Sequence, residues 1–134
     1  MTSPFPVYVV DDDPHVRELL CMLSQERGLS CRSFNDGETF LAAVDGLSPG
    51  CVLLDMRLPR RSGLQVQAEL ATRGHDLPVI AITGFGYVDM AVESMKLGAV
   101  DFIEKPFDND VLFDALDRAI AKLQGLGASS HPEG

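Results

Sequence analysis

The stretch Cys51-Val52-Leu53-Leu54-Asp55 places four apolar residues in a row before a single carboxylate. A run this short and this apolar is typical of a strand buried on both faces, as in a parallel sheet. Asp55 then lies where the strand leaves the core, and in open α/β sheets ligands bind at the carboxyl ends of strands. An isolated aspartate at such a place more often just begins a turn, so the role of Asp55 depends on the rest of the chain.

The composition indicates one ordinary domain. The chain has 134 residues, of which 46% are hydrophobic and 23% are charged, so it can bury a core. Its net charge of −9 argues against direct contact of this domain with nucleic acid, whose phosphates are held by Lys and Arg. No apolar run is long enough for a membrane span, and the first residues show no secretion signal. We therefore expect a cytoplasmic protein that does not contact a membrane.

The cysteines and histidines predict no site of their own. Cys21, Cys31 and Cys51 are odd in number and form no CxxC pair, so neither a zinc site nor a disulfide framework is indicated. Each lies in an apolar context and is interpreted as a small core residue in a reducing compartment. The histidines are interpreted as surface residues that form no common site; they are His15, His75 and His131.

Five apolar runs alternate with five segments of helical periodicity. The predicted strands cover residues 6–10, 30–34, 51–55, 78–82 and 100–103. Asp13 followed by Pro14 marks the start of the first helix, and Gly28 marks its end. Such alternation indicates right-handed βαβ units, a parallel sheet and helices on both faces. The domain is expected to span residues 6–123, after a short extension at 1–5; the Gly-rich segment 124–134 is expected to be a flexible tail or the start of a linker.

Polar residues follow four of the predicted strands, and a parallel sheet brings them to one edge. They are Asp11 and Asp12 after the first strand, Asp55 at the end of the third, Thr83 after the fourth and Lys105 after the fifth. Clustered carboxylates repel one another, and Mg²⁺ relieves this repulsion while bridging carboxylate to phosphate. Lys105 and the Thr83 hydroxyl would stabilise an anion near Asp55, such as a phosphoryl group carried by its carboxylate.

Each piece taken alone has a simpler interpretation. The run 11–13 can be a helix cap with a solvated turn, Thr83-Gly84 can be a turn, and Lys105-Pro106 can be a connecting loop. The joint pattern is far more specific, because every member falls at a strand end and the members come in a consistent order.

Four motifs closely resemble the receiver domain of bacterial two-component response regulators. They are Val10-Asp11-Asp12-Asp13-Pro14, Leu54-Asp55-Met56-Arg57-Leu58-Pro59 with Ser62-Gly63, Ile82-Thr83-Gly84, and Gly98-Ala99-Val100-Asp101-Phe102-Ile103-Glu104-Lys105-Pro106-Phe107. The last motif is most similar to the FixJ-type subfamily. The resemblance covers residues 6–123 and implies a flavodoxin-like (βα)5 fold, a three-layer α/β sandwich with a parallel five-stranded sheet of order 2-1-3-4-5.

The resemblance implies a phosphorylation-dependent signalling switch that depends on Mg²⁺ (or Mn²⁺). Asp55 would accept a phosphoryl group from a phosphohistidine of a sensor histidine kinase. Asp12 would bind the metal directly and Asp11 through water, with Asp55 and the backbone carbonyl of Arg57 as further ligands. The domain would then not be an enzyme toward other substrates, since it would catalyse only its own phosphorylation and dephosphorylation.

The resemblance also implies how the signal would leave the site. Thr83 and Lys105 would contact the phosphoryl oxygens, Thr83 would move toward them, and Phe102 on the last strand would turn inward. Many relatives carry Tyr at that place, and Phe102 can equally be a core residue. On phosphorylation the fourth helix and fifth strand would form a new surface, and a homodimer through this surface is expected. The output expected is transcription, through a DNA-binding domain after a linker; whether the chain is a fragment or a stand-alone receiver is left open.

Residues of the site and its surroundings suggest one further hypothesis and argue against three other functions. Arg57 and Phe85 flank the predicted site, and we expect them to limit access of water to a phosphoryl group. A phosphatase of the haloacid-dehalogenase type needs a second Asp where Arg57 stands, so turnover of external phosphoesters is disfavoured. A flavodoxin needs a phosphate loop after the first strand, where three aspartates stand instead. A scaffold without phosphorylation is disfavoured by the complete set of Asp55, Thr83 and Lys105.

Overall fold

The computed structural model describes residues 5–84 and 87–129. Its strands are β1 (Val7–Val10), β2 (Cys31–Phe34), β3 (Cys51–Asp55), β4 (Val79–Thr83) and β5 (Asp101–Glu104). Its helices are α1 (Pro14–Glu26), α2 (Gly37–Ala43), α3 (Gly63–Thr72), α4 (Val88–Lys96) and α5 (Asn109–Ser129), with a 3-10 turn at Val44–Gly46. The predicted strands and helices are all present, with ends that differ by one or two residues for most of them.

The five strands form one parallel sheet in the order β2-β1-β3-β4-β5. Alternate residues of each strand supply two cores, one on each face of the sheet. On one face Leu53 packs with buried residues of α1 and α5, and on the other face Leu54 packs with residues of α2 and α3. The predicted α/β architecture of three layers and its strand order are therefore confirmed.

Helix ends follow the capping chemistry of the sequence. Asp13 precedes Pro14 in α1, and its carboxylate accepts a hydrogen bond of 2.9 Å from the His15 N–H. Gly28 follows that helix with a φ of +77°, a left-handed conformation that favours glycine. Ser62 and Gln65 form a reciprocal capping box at the start of α3. This box fixes the chain direction directly after the loop that follows Asp55.

The prediction that all three cysteines are unpaired core residues is wrong for two of them. Cys21 and Cys31 form a disulfide, and their Cα atoms lie 5.4 Å apart. Two cysteines ten residues apart form no recognised sequence motif, and this pair comes together only when α1 packs beside β2. Cys51 is fully buried and unpaired, as expected of a core residue.

The last helix is longer than its apolar pattern predicts. It continues to Ser129, beyond Leu123, the last apolar position of the predicted helix face. The assignment of 124–134 to a tail or linker stays a prediction, and His131 lies outside the described residues. Among the described residues, no helix combines the length and the apolar character needed to cross a lipid bilayer.

Gly63 lies where the backbone of α3 meets the end of β3. A Cβ atom at this position would lie 2.5 Å from the Asp55 carbonyl oxygen and 2.7 Å from the Met56 Cα. We expect Gly63→Ala to lower the free energy of unfolding by about 1–3 kcal/mol, because backbone atoms would have to move. Gly46→Ala is the matched control, since nothing lies within 4 Å of a Cβ built there. Urea denaturation measures both variants, and equal midpoints would contradict this packing.

Candidate functional site

Three carboxylates meet at the carboxyl edge of the sheet. One oxygen each from Asp11, Asp12 and Asp55 lies within 4.8 Å of the other two. Asp11 and Asp55 are only 1% and 6% exposed, whereas Asp12 is exposed to solvent. The cluster predicted from the strand ends is therefore present, with two members inside the protein and one at its surface.

The sheet register explains why these residues meet. β1 and β3 are neighbours and pair Val10 with Leu54, so Asp11 and Asp55 follow at the same level of adjacent strands. Backbone groups hold both carboxylates in place. The Asp13 N–H donates to Asp11 Oδ1 at 2.9 Å, and the Arg57 N–H donates to Asp55 Oδ1 at 3.0 Å. Each hydrogen bond spans two residues, as in the turns that aspartate commonly initiates.

Lys105 supplies a positive charge to the cluster. Its Nζ lies 3.2 Å from Asp11 Oδ2, and its side chain is 29% exposed. The Lys105 N–H donates to the Thr83 carbonyl at 2.7 Å, which joins the ends of β5 and β4. Thr83 is 2% exposed and stands one residue beyond Ile82, the partner of Asp55 in the sheet. The structure thus brings the five polar residues predicted at the strand ends to one edge of the sheet.

Burial and neighbouring charges change the acidity of the central carboxyl. Burial is the main reason that the pKa of Asp55 rises to about 6, and the nearby Asp11 and Asp12 raise it further. The Arg57 N–H and the Lys105 ammonium oppose this rise by favouring the charged form. Without a bound cation, ionisation of all carboxyl groups of the site is therefore disfavoured. A divalent cation would stabilise the ionised carboxylates.

The donor set fits a hard cation. Carboxylate oxygens at this separation are the ligands that Mg²⁺ accepts, and an exposed member leaves room for water in the coordination sphere. The backbone carbonyl of Arg57 belongs to the same loop as Asp55, which is consistent with the ligand predicted from the resemblance. No histidine among the described residues joins the cluster: His15 is exposed, and His75 pairs with Asp45 at 2.8 Å.

An exposed contact beside the site was not predicted. The Arg57 guanidinium lies over the Tyr87 ring, with its central carbon 4.5 Å from the ring centroid, and it donates to the Tyr87 hydroxyl. The two residues are 30 positions apart, so no local pattern announces the pair. Phe85, the other residue expected to shield the site, lies outside the described residues.

Phe102 lies on the surface of β5, with 42% of its area exposed. The alternative that it is a core residue is therefore wrong. The neighbouring helix α4 also carries exposed apolar side chains, namely Val88, Val92 and Met95. The fourth helix and fifth strand, predicted to carry an interaction surface, thus present apolar groups to solvent.

The match with known proteins covers nearly the whole domain. A family model described as the response regulator receiver domain matches residues 7–117. The transcriptional regulatory protein FixJ of Bradyrhizobium diazoefficiens is 40% identical over 129 residues, which are 96% of this chain and 63% of that protein. The response regulator protein TodT of Pseudomonas putida is 42% identical over 126 residues, which are 94% of this chain and 55% of that protein.

Solved structures of FixJ have the same fold. Full-length FixJ from B. japonicum superposes with a TM-score of 0.89 at 39% identity, over 96% of this chain and 63% of that one. The structure of FixJ-N superposes with a TM-score of 0.83 at 39% identity, over 88% of this chain and 94% of that one. The chain therefore spans less than two thirds of these curated relatives and nearly all of FixJ-N.

The raised pKa of Asp55 predicts a pH-dependent stability in metal-free buffer. Because the folded pKa of about 6 exceeds the ordinary value of 3.8, the folded state binds more protons between these values. Stability contributed by Asp55 is therefore lost as pH rises through this window. We expect Asp55→Asn to be more stable than the wild type at neutral pH by about 1–3 kcal/mol, with the difference disappearing near pH ~4. Urea denaturation midpoints of both proteins across pH measure this stability difference. A difference that stays constant with pH would contradict the prediction.

Proposed function

Because the chain belongs to the response regulator receiver domain family, we propose that it is a phosphorylation-dependent switch whose phosphoryl acceptor is Asp55. The observation that carries the proposal is the nearly buried Asp55, with Asp11 and Asp12 within 4.8 Å and Lys105 bound to Asp11. This is the arrangement in which one carboxylate can act as a nucleophile while its neighbours and an ammonium group balance charge.

Receiver domains bind Mg²⁺ at an acidic pocket, and the carboxylates of this chain fit that role. Asp12 would hold the ion directly and Asp11 through water, with Asp55 and the Arg57 carbonyl completing the protein ligands. When bound, the ion would neutralise charge on the carboxylates and on the phosphoryl oxygens. Mn²⁺ has a similar preference for oxygen ligands and is expected to substitute.

The residues of the site divide the chemistry among them. An Asp55 carboxylate oxygen attacks phosphorus as the bond from phosphorus to the imidazole nitrogen of the donor breaks, which yields an acyl phosphate and free histidine. Lys105, now paired with Asp11, would turn its ammonium to the phosphoryl oxygens. Thr83 would donate its hydroxyl to them. Loss of the phosphate is hydrolysis of the same acyl bond, so no external substrate is turned over.

The added charge would be read out at α4 and β5. Movement of Thr83 toward the phosphoryl group would leave space for Phe102, now 42% exposed, to turn inward. The surface around Phe102 and the apolar side chains of α4 would change with it. A homodimer through α4 and β5 is the assembly that this apolar surface supports. The physical principle is a two-state element biased by a local charge.

The protein as a whole would connect a sensor histidine kinase to transcription. The relatives named above are transcriptional and response regulators, and the chain covers only part of their length. A DNA-binding output domain would therefore carry any contact with DNA, since this acidic domain has a net charge of −9. The cytoplasm is the compartment that this function requires.

Phosphorylation by acetyl phosphate tests the acceptor. With Mg²⁺ present, we expect the intact mass of the wild type to rise by one phosphoryl group, and Asp55→Asn to show no gain. Asp45→Asn, an exposed carboxylate away from the cluster, is the control and should be modified like the wild type. Chelation of the metal should prevent the gain. A mass gain that survives in Asp55→Asn would overturn the assignment.

We expect the contact between Arg57 and Tyr87 to lengthen the lifetime of the phosphoryl group relative to variants that lack the contact. If the stacked guanidinium restricts water near Asp55, Arg57→Ala and Tyr87→Ala should each shorten the phosphate lifetime about two- to fivefold, the equivalent of about 0.5–1 kcal/mol for an exposed stack. Tyr87→Phe keeps the ring and should have a smaller effect. Timed mass spectrometry after removal of acetyl phosphate gives the lifetimes. Unchanged lifetimes in both alanine variants would dismiss the idea.

A further inference from the structure

The disulfide between Cys21 and Cys31 joins α1 to the first residue of β2. The Cα atoms lie 5.4 Å apart, within the range of about 4.4–6.8 Å found for disulfides in proteins. β2 is the edge strand of the sheet and pairs only with β1. The bond therefore closes a short loop at the border of the fold, away from the Asp55 site.

The paired cysteines are partly exposed, whereas the third cysteine is fully buried. Cys21 and Cys31 are both half-buried, and the neighbours of Cys31, Ser30 and Arg32, are exposed. Cys51 lies in the centre of the sheet with 0% exposure, and burial raises the pKa of its thiol above the usual range. We therefore expect small thiols and disulfides to react at this partly exposed pair and not at the buried Cys51.

We propose that Cys21 and Cys31 are a site of reversible covalent modification, oxidised by small disulfides of the glutathione class and reduced by the corresponding thiols. Accessible disulfides exchange readily, and those in reducing compartments are commonly transient and linked to redox state. The proposal is independent of phosphorylation, because neither cysteine belongs to the acidic cluster.

The exchange takes place in two balanced steps. One protein thiolate attacks a sulfur of the small disulfide, which forms a mixed disulfide and releases one small thiolate. The second protein thiolate attacks the protein sulfur of that mixed disulfide, which forms the Cys21–Cys31 bond and releases the second small thiolate. Two electrons pass from the protein to the reagent, and the two protons of the protein thiols remain with the two small thiols.

Oxidation would fasten α1 to the edge of the sheet. The same helix begins directly after the acidic cluster, and its Arg17 guanidinium donates to the Asp11 carbonyl at 2.7 Å. Closing the loop removes freedom from the unfolded chain, so the oxidised form should resist unfolding better than the reduced form. It should also exchange the amide hydrogens of α1 and β2 more slowly, because local opening of these elements would be restricted.

The test uses the full chain in buffers with different ratios of oxidised to reduced glutathione. In the wild type we expect the oxidised form to lose two hydrogens by intact mass, to protect residues 21 and 31 from alkylation, and to unfold at a higher urea concentration. Dithiothreitol should reverse all three changes in the folded protein. Cys51→Ala is the matched control and should behave like the wild type.

The single variants Cys21→Ser and Cys31→Ser separate the pair from the remaining cysteine. Each should keep one accessible thiol, form a mixed disulfide with glutathione, and show the same urea midpoint with and without dithiothreitol. Wild-type thiols that remain open to alkylation in oxidised glutathione, an unchanged midpoint on oxidation, or a bond that resists dithiothreitol would each overturn the proposal. None of these measurements involves phosphate, so their outcome does not depend on the function of Asp55.

Discussion

Repulsion among three carboxylates within 4.8 Å of one another is the constraint to which the rest of the site responds. Two of them are nearly buried, where the cost of an uncompensated negative charge is highest. One lysine and two backbone N–H groups offset only part of this charge, and the pKa of Asp55 stays raised. The cluster therefore lowers the stability of the free protein. Under the proposed function, a bound cation would offset this cost.

A parallel sheet is well suited to hold groups that repel one another. Asp11 and Asp12 follow β1 and Asp55 ends the neighbouring β3, and the backbone ladder fixes these strands independently of the side chains at their ends. The apolar residues of β3 pack into both cores, so Asp55 cannot withdraw from its neighbours without moving a buried strand. The close approach of Gly63 to the Asp55 carbonyl fixes the loop that follows. Packing energy from the cores thus maintains an electrostatically unfavourable edge.

The sequence allowed the elements and the acidic cluster to be predicted, but not the contacts that depend on packing. Short apolar runs and caps such as Asp13 define strands and helix starts, and parallel strand ends share an edge. The pairs Cys21–Cys31 and Arg57–Tyr87 depend on how a helix or loop is oriented against the sheet, which no local pattern encodes. The exposure of Phe102 could not be predicted either, because a four-residue edge strand has too few positions to show which face is buried.

The contacts around α4 indicate which part of that helix a change at Asp55 reaches first. The Arg57 N–H binds the Asp55 carboxylate, and the Arg57 guanidinium binds Tyr87, the residue before α4. Toward its other end the helix is fastened to α3, because Gln67 and Ser94 are buried and exchange two hydrogen bonds of 2.7 and 2.9 Å. Buried polar contacts of this kind are costly to break, whereas an exposed stack is not. Under the proposed function, α4 would therefore respond by moving its N-terminal end, which carries Val88 and Val92 on the exposed apolar surface.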